Sequence, residues 1–253
     1  MSDTKELKAM IDEAQRIVFF GGAGVSTESG IPDFRSEKGL YEAQHKYGHS
    51  PEEIISKSFF LRNPDLFYQY YKDNLIYPDA RPNAAHMGLV DIEKAGKDIK
   101  IVTQNIDGLH HMAGSGIIYE LHGSVHRNYC VDCGKTYDLA FMLDPENCKK
   151  EGKDSKYINW CVKCGGIVRP DVVLYEEGLD GFTISEAVSA ITNADLLIVG
   201  GTSLVVYPAA GFLNYFRGKA LVLINMSATS VDSRADLVIR RPIGEVFSEI
   251  KLL

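Results

Sequence analysis

No stretch of this chain approaches the roughly 18 consecutive apolar residues that would span a bilayer, so no membrane partner is expected. The first residues, MSDTKELKAMIDEAQ, are polar and helix-like and lack the apolar core of a secretory leader. A cytoplasmic setting is the expectation. Long basic runs are missing as well, and the net charge is −7. A broad cationic face for phosphates is therefore not expected, nor is nucleic acid as a partner. Cysteine is scarce: there are five, all within residues 126–167. With no export signal, disulfides are the poorer reading of that cluster. The remainder is ordinary for a globular chain, 45% apolar and 24% charged over 253 residues. That length buries one substantial core and leaves room for a smaller module.

The densest chemistry sits in residues 22–35, GAGVSTESGIPDFR. It follows an apolar strand candidate, RIVFF at 16–20. A strand running into a glycine-rich turn leaves amide groups pointing beyond the strand end, where a diphosphate is the usual occupant. Ser26, Thr27 and Ser29 add hydroxyls, and Pro32, Asp33, Phe34 and Arg35 put a rigid turn, an acid, an aromatic ring and a guanidinium side by side. Missing is the second strand with an acidic end about 20 residues on, which a dehydrogenase fold would show. The pattern is dinucleotide-like without being that of a dehydrogenase.

Leu7, Met10, Ile11 and Ala14 fall at helical spacing, predicting an amphipathic helix over 3–15. Residues 36–82 show no clear strand and read as a helical insertion, with helices near 51–57 and 64–74. A helix at 86–94 precedes strands at 99–103 and 117–121. After the cysteine segment, 168–175, 195–200, 220–225 and 236–239 read as strands, with helices at 183–192 and 208–216 between them. Apolar strands alternating with helices imply an α/β fold, a Rossmann-like parallel sheet with helices on both faces. A smaller zinc-ribbon module and the helical insertion are added to it. The expected division is 1–35, 83–125 and 168–253 for the sheet domain, 36–82 for the helical insertion, and 126–167 for the cysteine-bearing module. Ligands of such sheets sit beyond the carboxyl ends of the strands. Five polar motifs follow strand ends and so are expected to meet along one edge.

Cys130-x-x-Cys133 and Cys161-x-x-Cys164 form two knuckles separated by 27 residues, each followed by glycine, Gly134 and Gly165. Four thiolates round one Zn²⁺ make a closed structural site with no position for water. Its expected role is to fold a module with little core of its own. Cys148 lies between the knuckles and reads as a free thiol.

Two strand-end motifs complete the set: TQNIDGLH at 103–110 and ELHGS at 120–124, where Gly123 clears space beside His122. Together with GAGVSTESGIPDFR, the cysteine knuckles, VRPDVV at 168–173, GTSLVVYP at 201–208 and Asn225, they closely resemble the sirtuin family of NAD-dependent protein deacylases. The matches run in family order over nearly the whole chain.

The resemblance implies transfer of the acyl group of acyl-lysine to the ADP-ribose part of NAD, with release of nicotinamide. It makes His122 the general base, a task suited to an imidazole near neutral pH, and Asn105 the second catalytic residue. Ala23, Gly24, Thr27 and Arg35 would hold the diphosphate and nearby ribose, and Phe34 would shield the ribose carbon from water. Gln104 and Asn105 would position the ribose and a bound water, while Ile106 and Asp107 would line the nicotinamide pocket. Thr202 and Ser203 would meet phosphate and ribose, Asn225 the adenosine ribose, and Ile243 completes the cofactor contacts. Residues 36–48 resemble the mobile family loop that closes over the cofactor.

Acetyl-lysine proteins or peptides would be the partners, adding a strand between 172–177 and 204–207. Phe34, Val173, Tyr175, Leu204 and Val206 would be the substrate contacts. The chain departs from the family where the usual Phe-Gly-Glu reads Tyr175, Glu176, Glu177, which is expected to alter the peptide path. It departs again in the insertion. Relatives that prefer acidic acyl groups carry Tyr-x-x-Arg, whereas here Tyr68 is followed at that spacing by Tyr71. A neutral acyl group, acetyl first, is therefore expected. The alternatives are a protein mono-ADP-ribosyltransferase and a non-catalytic zinc-ribbon or NAD-binding module.

Overall fold

The computed structural model describes residues 3–33, 37–150, 152 and 155–250, apart from the side chains of 37–40 and 42. Phe34 and Arg35 lie outside the described residues.

Six strands form a parallel sheet: β1 (Arg16–Gly21), β2 (Asp98–Thr103), β3 (Ile118–Glu120), β7 (Leu196–Gly200), β8 (Ala220–Ile224) and β9 (Leu237–Ile239). The order is β3-β2-β1-β7-β8-β9, with β1 central between β2 and β7. Side chains alternate across a strand, so β1 supplies both layers of core. Ile17 and Phe19 face a cluster with Leu7, Ile11, Leu89 and Phe247, while Val18 and Phe20 face one with Ala187, Ile191 and Leu213. Each fully buried side chain of this size stabilises by roughly 1.5–3 kcal/mol. The helix Asp3–Glu13 seals the first layer through Leu7 and Ile11, as its spacing predicts.

The register sets the position of the site. Gly21 pairs with Thr103 and with Gly200, Thr103 with Glu120, and Gly200 with Ile224. These five residues close their strands at one level, so the segments that follow emerge side by side.

A second sheet is antiparallel and has three strands in the order β5-β4-β6, formed by β4 (Gly123–Cys130), β5 (Thr136–Tyr137) and β6 (Val168–Val172). This corrects the placement of 168–175: its apolar run is buried against β4 rather than in the parallel sheet, and the strand ends at Val172. Other expectations shift locally. Residues 51–57 divide into Pro51–Ile54 and Lys57–Arg62, each capped by its own serine, Ser50 and Ser56. The helix expected at 208–216 is a 3₁₀ helix, Ala209–Tyr215. Residues 36–48, expected as a loop, contain the helix Glu37–Tyr47. The helix Pro64–Asn74 starts at its proline as predicted.

The insertion and the cysteine segment share one hydrophobic cluster. Ile54, Phe59, Phe67, Tyr68 and Tyr71 pack with Val125, Met142, Ile158, Val168 and Leu174. The hydroxyl of Tyr68, fully buried, donates to the Val168 carbonyl at 2.6 Å. The metal-bearing segment thus borrows its core from the insertion.

Candidate active site and metal centre

Beyond Gly21 the chain turns through two short 3₁₀ turns, Ala23–Val25 and Thr27–Ser29. The Gly24 amide donates to the Gly201 carbonyl at 2.8 Å. A Cβ on Gly24 would stand 2.8 Å from the Gly201 Cα, and Gly201 itself has φ +58. The two loops can approach this closely only because both positions lack side chains. This close backbone pair, with hydroxyls and amides around it, fits the diphosphate end of a dinucleotide.

Ser26 organises the polar floor. It is 1% exposed, donates to Asp107 Oδ2 at 2.6 Å, and accepts from Asn105 Nδ2 at 3.0 Å. The Leu109 amide holds the other Asp107 oxygen at 2.9 Å. Gln104 Nε2 donates to the Thr202 hydroxyl at 3.2 Å, linking two of the strand ends. Asn83 braces the cradle from below, donating to the Val25 carbonyl at 2.7 Å and the Ser29 hydroxyl at 2.9 Å while capping the helix Ala84–Lys94. Sequence reasoning gives neither Ser26 nor Asn83 this role. The helix is expected only from residue 86, so Asn83 carries no reading from the sequence. The signal available there is that asparagine is a favoured helix cap. Ser26 lies inside the Gly-rich motif, where its hydroxyl stands out but its partners do not.

His122 follows β3 and is half-buried. Its Nδ1 lies 2.9 Å from the Gln104 carbonyl oxygen. A carbonyl only accepts, so the proton resides on Nδ1 and Nε2 is the basic nitrogen. The His122 carbonyl accepts from the Val173 amide at 3.0 Å, which ties His122 to the residue that follows β6. Gly123 has φ +76, and a Cβ there would overlap the Asp171 carbonyl. That glycine is required by the passing strand β6, a different reason from the space for a ligand inferred from sequence.

One cleft of about 250 Å³ gathers nine of the sixteen expected cofactor and substrate residues that are described. Ala23, Gln104, Asn105, Ile106, Asp107, His122, Val173, Tyr175 and Val206 all line it. Gly24, Thr27, Thr202, Ser203, Leu204, Asn225 and Ile243 are not among its lining. Thr27 is exposed beside the cradle and donates to the Gly24 carbonyl, and Ser203 is exposed. Thr202 is buried against Gly22. Asn225 follows β8 and donates to the Ser227 carbonyl. The side chains of Leu204 and Ile243 pack into the core, Leu204 with φ +57.

The departure at 175–177 has a structural answer. Glu176 takes φ +74, a conformation that suits glycine. Its carboxylate accepts from the Ser58 amide at 2.8 Å and hydroxyl at 2.9 Å, at the start of the helix Lys57–Arg62. The acid is engaged on the insertion. Glu177 forms a bidentate pair with Arg169 at 2.8 and 3.0 Å and accepts from the Leu174 amide.

Cys130, Cys133, Cys161 and Cys164 place their sulfurs within 4.8 Å of one another. The pairs Cys130–Cys164 and Cys133–Cys161 are 3.4 and 3.6 Å apart. A tetrahedral zinc with Zn–S bonds of about 2.3 Å needs sulfur edges of about 3.8 Å, so the set fits. Gly134 and Gly165 have φ +69 and +73, the left-handed turns that the knuckles require. Tyr137 donates its hydroxyl to Cys161 Sγ at 3.0 Å, an outer-shell bond that orients the thiolate.

Beneath the floor, His110 and His86 are 2% and 0% exposed, with ring centroids 4.7 Å apart. Neither ring nitrogen of His110 has a partner among the described residues. Burial pushes His110 down to about 3, helped by its neighbours His86 and His111. Burial likewise pushes His86 down to about 4, against the pull of Asp107. Both folded values lie below the unfolded value of about 6.5. The unfolded chain therefore takes up protons first, and stability that is complete above pH 6.5 is lost as pH falls toward 4. Each group contributes about 1.4 kcal/mol per pH unit over that window. Urea unfolding between pH 6.5 and 4.5 is expected to show a His110→Gln slope shallower than that of the parent by that amount. Parallel slopes would show that His110 is not buried neutral.

A family model described as the Sir2 family matches residues 22–208. An NAD-dependent protein deacetylase of Clostridium perfringens is 57% identical, over 97% of both chains. One of Clostridium acetobutylicum is 56% identical over 97% of this chain and 96% of its own. Among solved structures, a Sir2–p53 peptide–NAD+ complex superposes with a TM-score of 0.82 at 34% identity, over 97% of this chain and 95% of that one. Sir2Tm bound to a propionylated peptide gives 0.82 at 35% identity, over 98% and 96%. With the glycine cradle, the strand-end motifs and the cysteine cluster all in place, the chain belongs to the Sir2 family.

Proposed function

We propose that the protein is an NAD-dependent protein-lysine deacetylase, transferring the acetyl group of acetyl-lysine to ADP-ribose with release of nicotinamide. The observation that carries this reading is the orientation of His122. The bond from Nδ1 to the Gln104 carbonyl leaves Nε2 basic, in a cleft shared by Asn105, Asp107 and Val173.

NAD, when bound, supplies the acceptor carbon and the nicotinamide leaving group. The chain's own residues do the rest. His122 takes a ribose hydroxyl proton at Nε2. Asn105, held by Ser26, and Gln104, held by Thr202, position the ribose. Ile106 and Asp107 border the nicotinamide side, Ala23, Gly24 and Thr27 the diphosphate, with Thr202, Ser203, Asn225 and the first turn of the helix Ile243–Glu249 toward the adenosine. Val173, Tyr175, Leu204 and Val206 flank the acyl-lysine peptide. Phe34 and Arg35 are assigned to the same cradle through the resemblance. Excluding water from this site favours acyl transfer over hydrolysis of NAD. Zinc held by four thiolates has no open position and plays a structural part. A reducing, cytoplasmic setting suits such thiolates. Among the described residues no helix is long and apolar enough to cross a membrane.

Acetyl preference follows from the cleft lining. Tyr71 is fully buried there, and none of the described lining residues is Lys or Arg, whereas Glu176 and Glu177 are present. A succinyl carboxylate would be desolvated without a cation, at a cost of several kcal/mol. In a panel of acyl-lysine peptides scored for nicotinamide release, acetyl-lysine is expected to turn over at least about 10-fold faster than succinyl-lysine. Faster succinyl turnover would overturn the assignment. Mass spectrometry of the peptide tests the reaction class: loss of acetyl supports deacetylation, and gain of ADP-ribose contradicts it.

A further inference from the structure

Lys72 sits in the last turn of the helix Pro64–Asn74, next to Tyr71 of the cleft wall. Its Nζ lies 3.3 Å from the sulfur of Cys148, which ends the 3₁₀ turn Pro145–Cys148. Cys148 is 3% exposed and stands apart from the four-sulfur cluster, its thiol directed also toward the Tyr157 carbonyl at 3.6 Å. Lys72 forms no ion pair with a carboxylate among the described residues, so its closest polar partner is the thiol. Burial lowers the ammonium's pKa below the ordinary lysine value, partly offset by Cys148 itself. A partly desolvated amine against a reduced sulfur is a nucleophile placed beside a latent electrophile.

We propose that Lys72 and Cys148 form a peroxide-responsive modification site that closes a reversible nitrogen–sulfur bond. Hydrogen peroxide first oxidises the Cys148 thiol to a sulfenic acid, its O–O bond breaking and one water leaving. The Lys72 amine then attacks the sulfenyl sulfur. The N–S bond forms, the S–O bond breaks, and the hydroxyl leaves as a second water with a proton from the nitrogen. Overall the thiol sulfur loses two electrons and peroxide becomes two waters. An external thiol reverses the link by attacking the sulfur and releasing the amine. The bond would join positions 76 residues apart, tying the cleft-wall helix to the metal-bearing segment.

The test uses the zinc-loaded protein treated with graded hydrogen peroxide, followed by proteolysis without reductant and mass spectrometry. The expected product is a peptide joining the Lys72 and Cys148 segments, about 2 Da lighter than their sum and cleaved by dithiothreitol. The linked form should melt about 5–10 °C higher, because the cross-link restricts the unfolded chain. Neither product nor shift should appear in Cys148→Ala or Lys72→Arg. A chelating dye records zinc release in the same samples. Recovery of Cys148 as sulfinic acid or as a disulfide, with no linked peptide, overturns the proposal. So does an unmodified Cys148 at peroxide doses that already release zinc. Both of these results are read on the unmutated protein, so they do not depend on how the variants fold.

Discussion

Replacing His122 by alanine is expected to lower deacetylation by about 10²–10⁴-fold, the contribution of a positioned general base. The expected loss is specific to one step. In the proposed function, cleavage of the nicotinamide bond is assigned to the cradle and the Asp107 side of the cleft, so exchange of labelled nicotinamide into NAD should continue. Stability should change little, because the ring is half-buried and its hydrogen bond to the Gln104 carbonyl has a net worth of about 1 kcal/mol. Circular dichroism and thermal melting therefore separate a catalytic defect from a folding defect. Full deacetylation by the variant would remove His122 from the mechanism. Simultaneous loss of exchange in a well-folded variant would place the ring in NAD binding instead.

Removing zinc, by chelation or by Cys161→Ala, is expected to abolish activity although no cysteine is among the described residues that line the cleft. Cys130 and Cys161 lie within the hydrophobic cluster that also holds Tyr68, Val168 and Leu174. The cysteine segment supplies the latter part of β4 and leads into β6, and β6 continues into Val173, whose amide bonds the carbonyl of His122. Losing the metal is therefore expected to loosen the segment that His122 is bonded to. Four-thiolate sites can contribute on the order of 10 kcal/mol to the folding of small modules. A drop in Tm of more than about 10 °C is expected here, at about 2–4 °C per kcal/mol for a chain of this size. The parallel sheet has its own two core layers, so much of the far-ultraviolet dichroism should persist while activity is gone. A Cys161→Ala protein that retains one equivalent of zinc and an unchanged Tm would refute the four-sulfur site.

Local chemistry is readable where one segment carries its own signal. The helix Pro64–Asn74 has proline at its first position and aromatic residues at helical spacing, and it begins and ends where that pattern does. The cysteine knuckles carry both their ligands and the glycines that turn them. The strand-end motifs belong together because parallel strands with helical crossovers must share a carboxyl edge. The strand β6 is different. A short apolar run fits any buried strand, and nothing within 168–175 distinguishes a parallel neighbour from an antiparallel one. The serine at 26 is one hydroxyl among three in its motif, since its partners Asn105 and Asp107 lie 79 and 81 residues away. Glu176 reads in isolation as an obstacle to a peptide, whereas Ser58, 118 residues distant, holds its carboxylate.

Residue identity and spacing alone establish the donor types: which loop can approach a diphosphate, which thiols can share an ion, which imidazole follows a strand end. Those properties are carried by neighbours along the chain. Chain folding over long separations decides their use. It sets the Nδ1 proton of His122, the buried and uncharged state of His86 and His110, the common core of insertion and metal segment, and the pairing of Lys72 with Cys148. Each of these depends on desolvation or on a partner contributed from elsewhere in the chain, and short-range pattern holds no record of either.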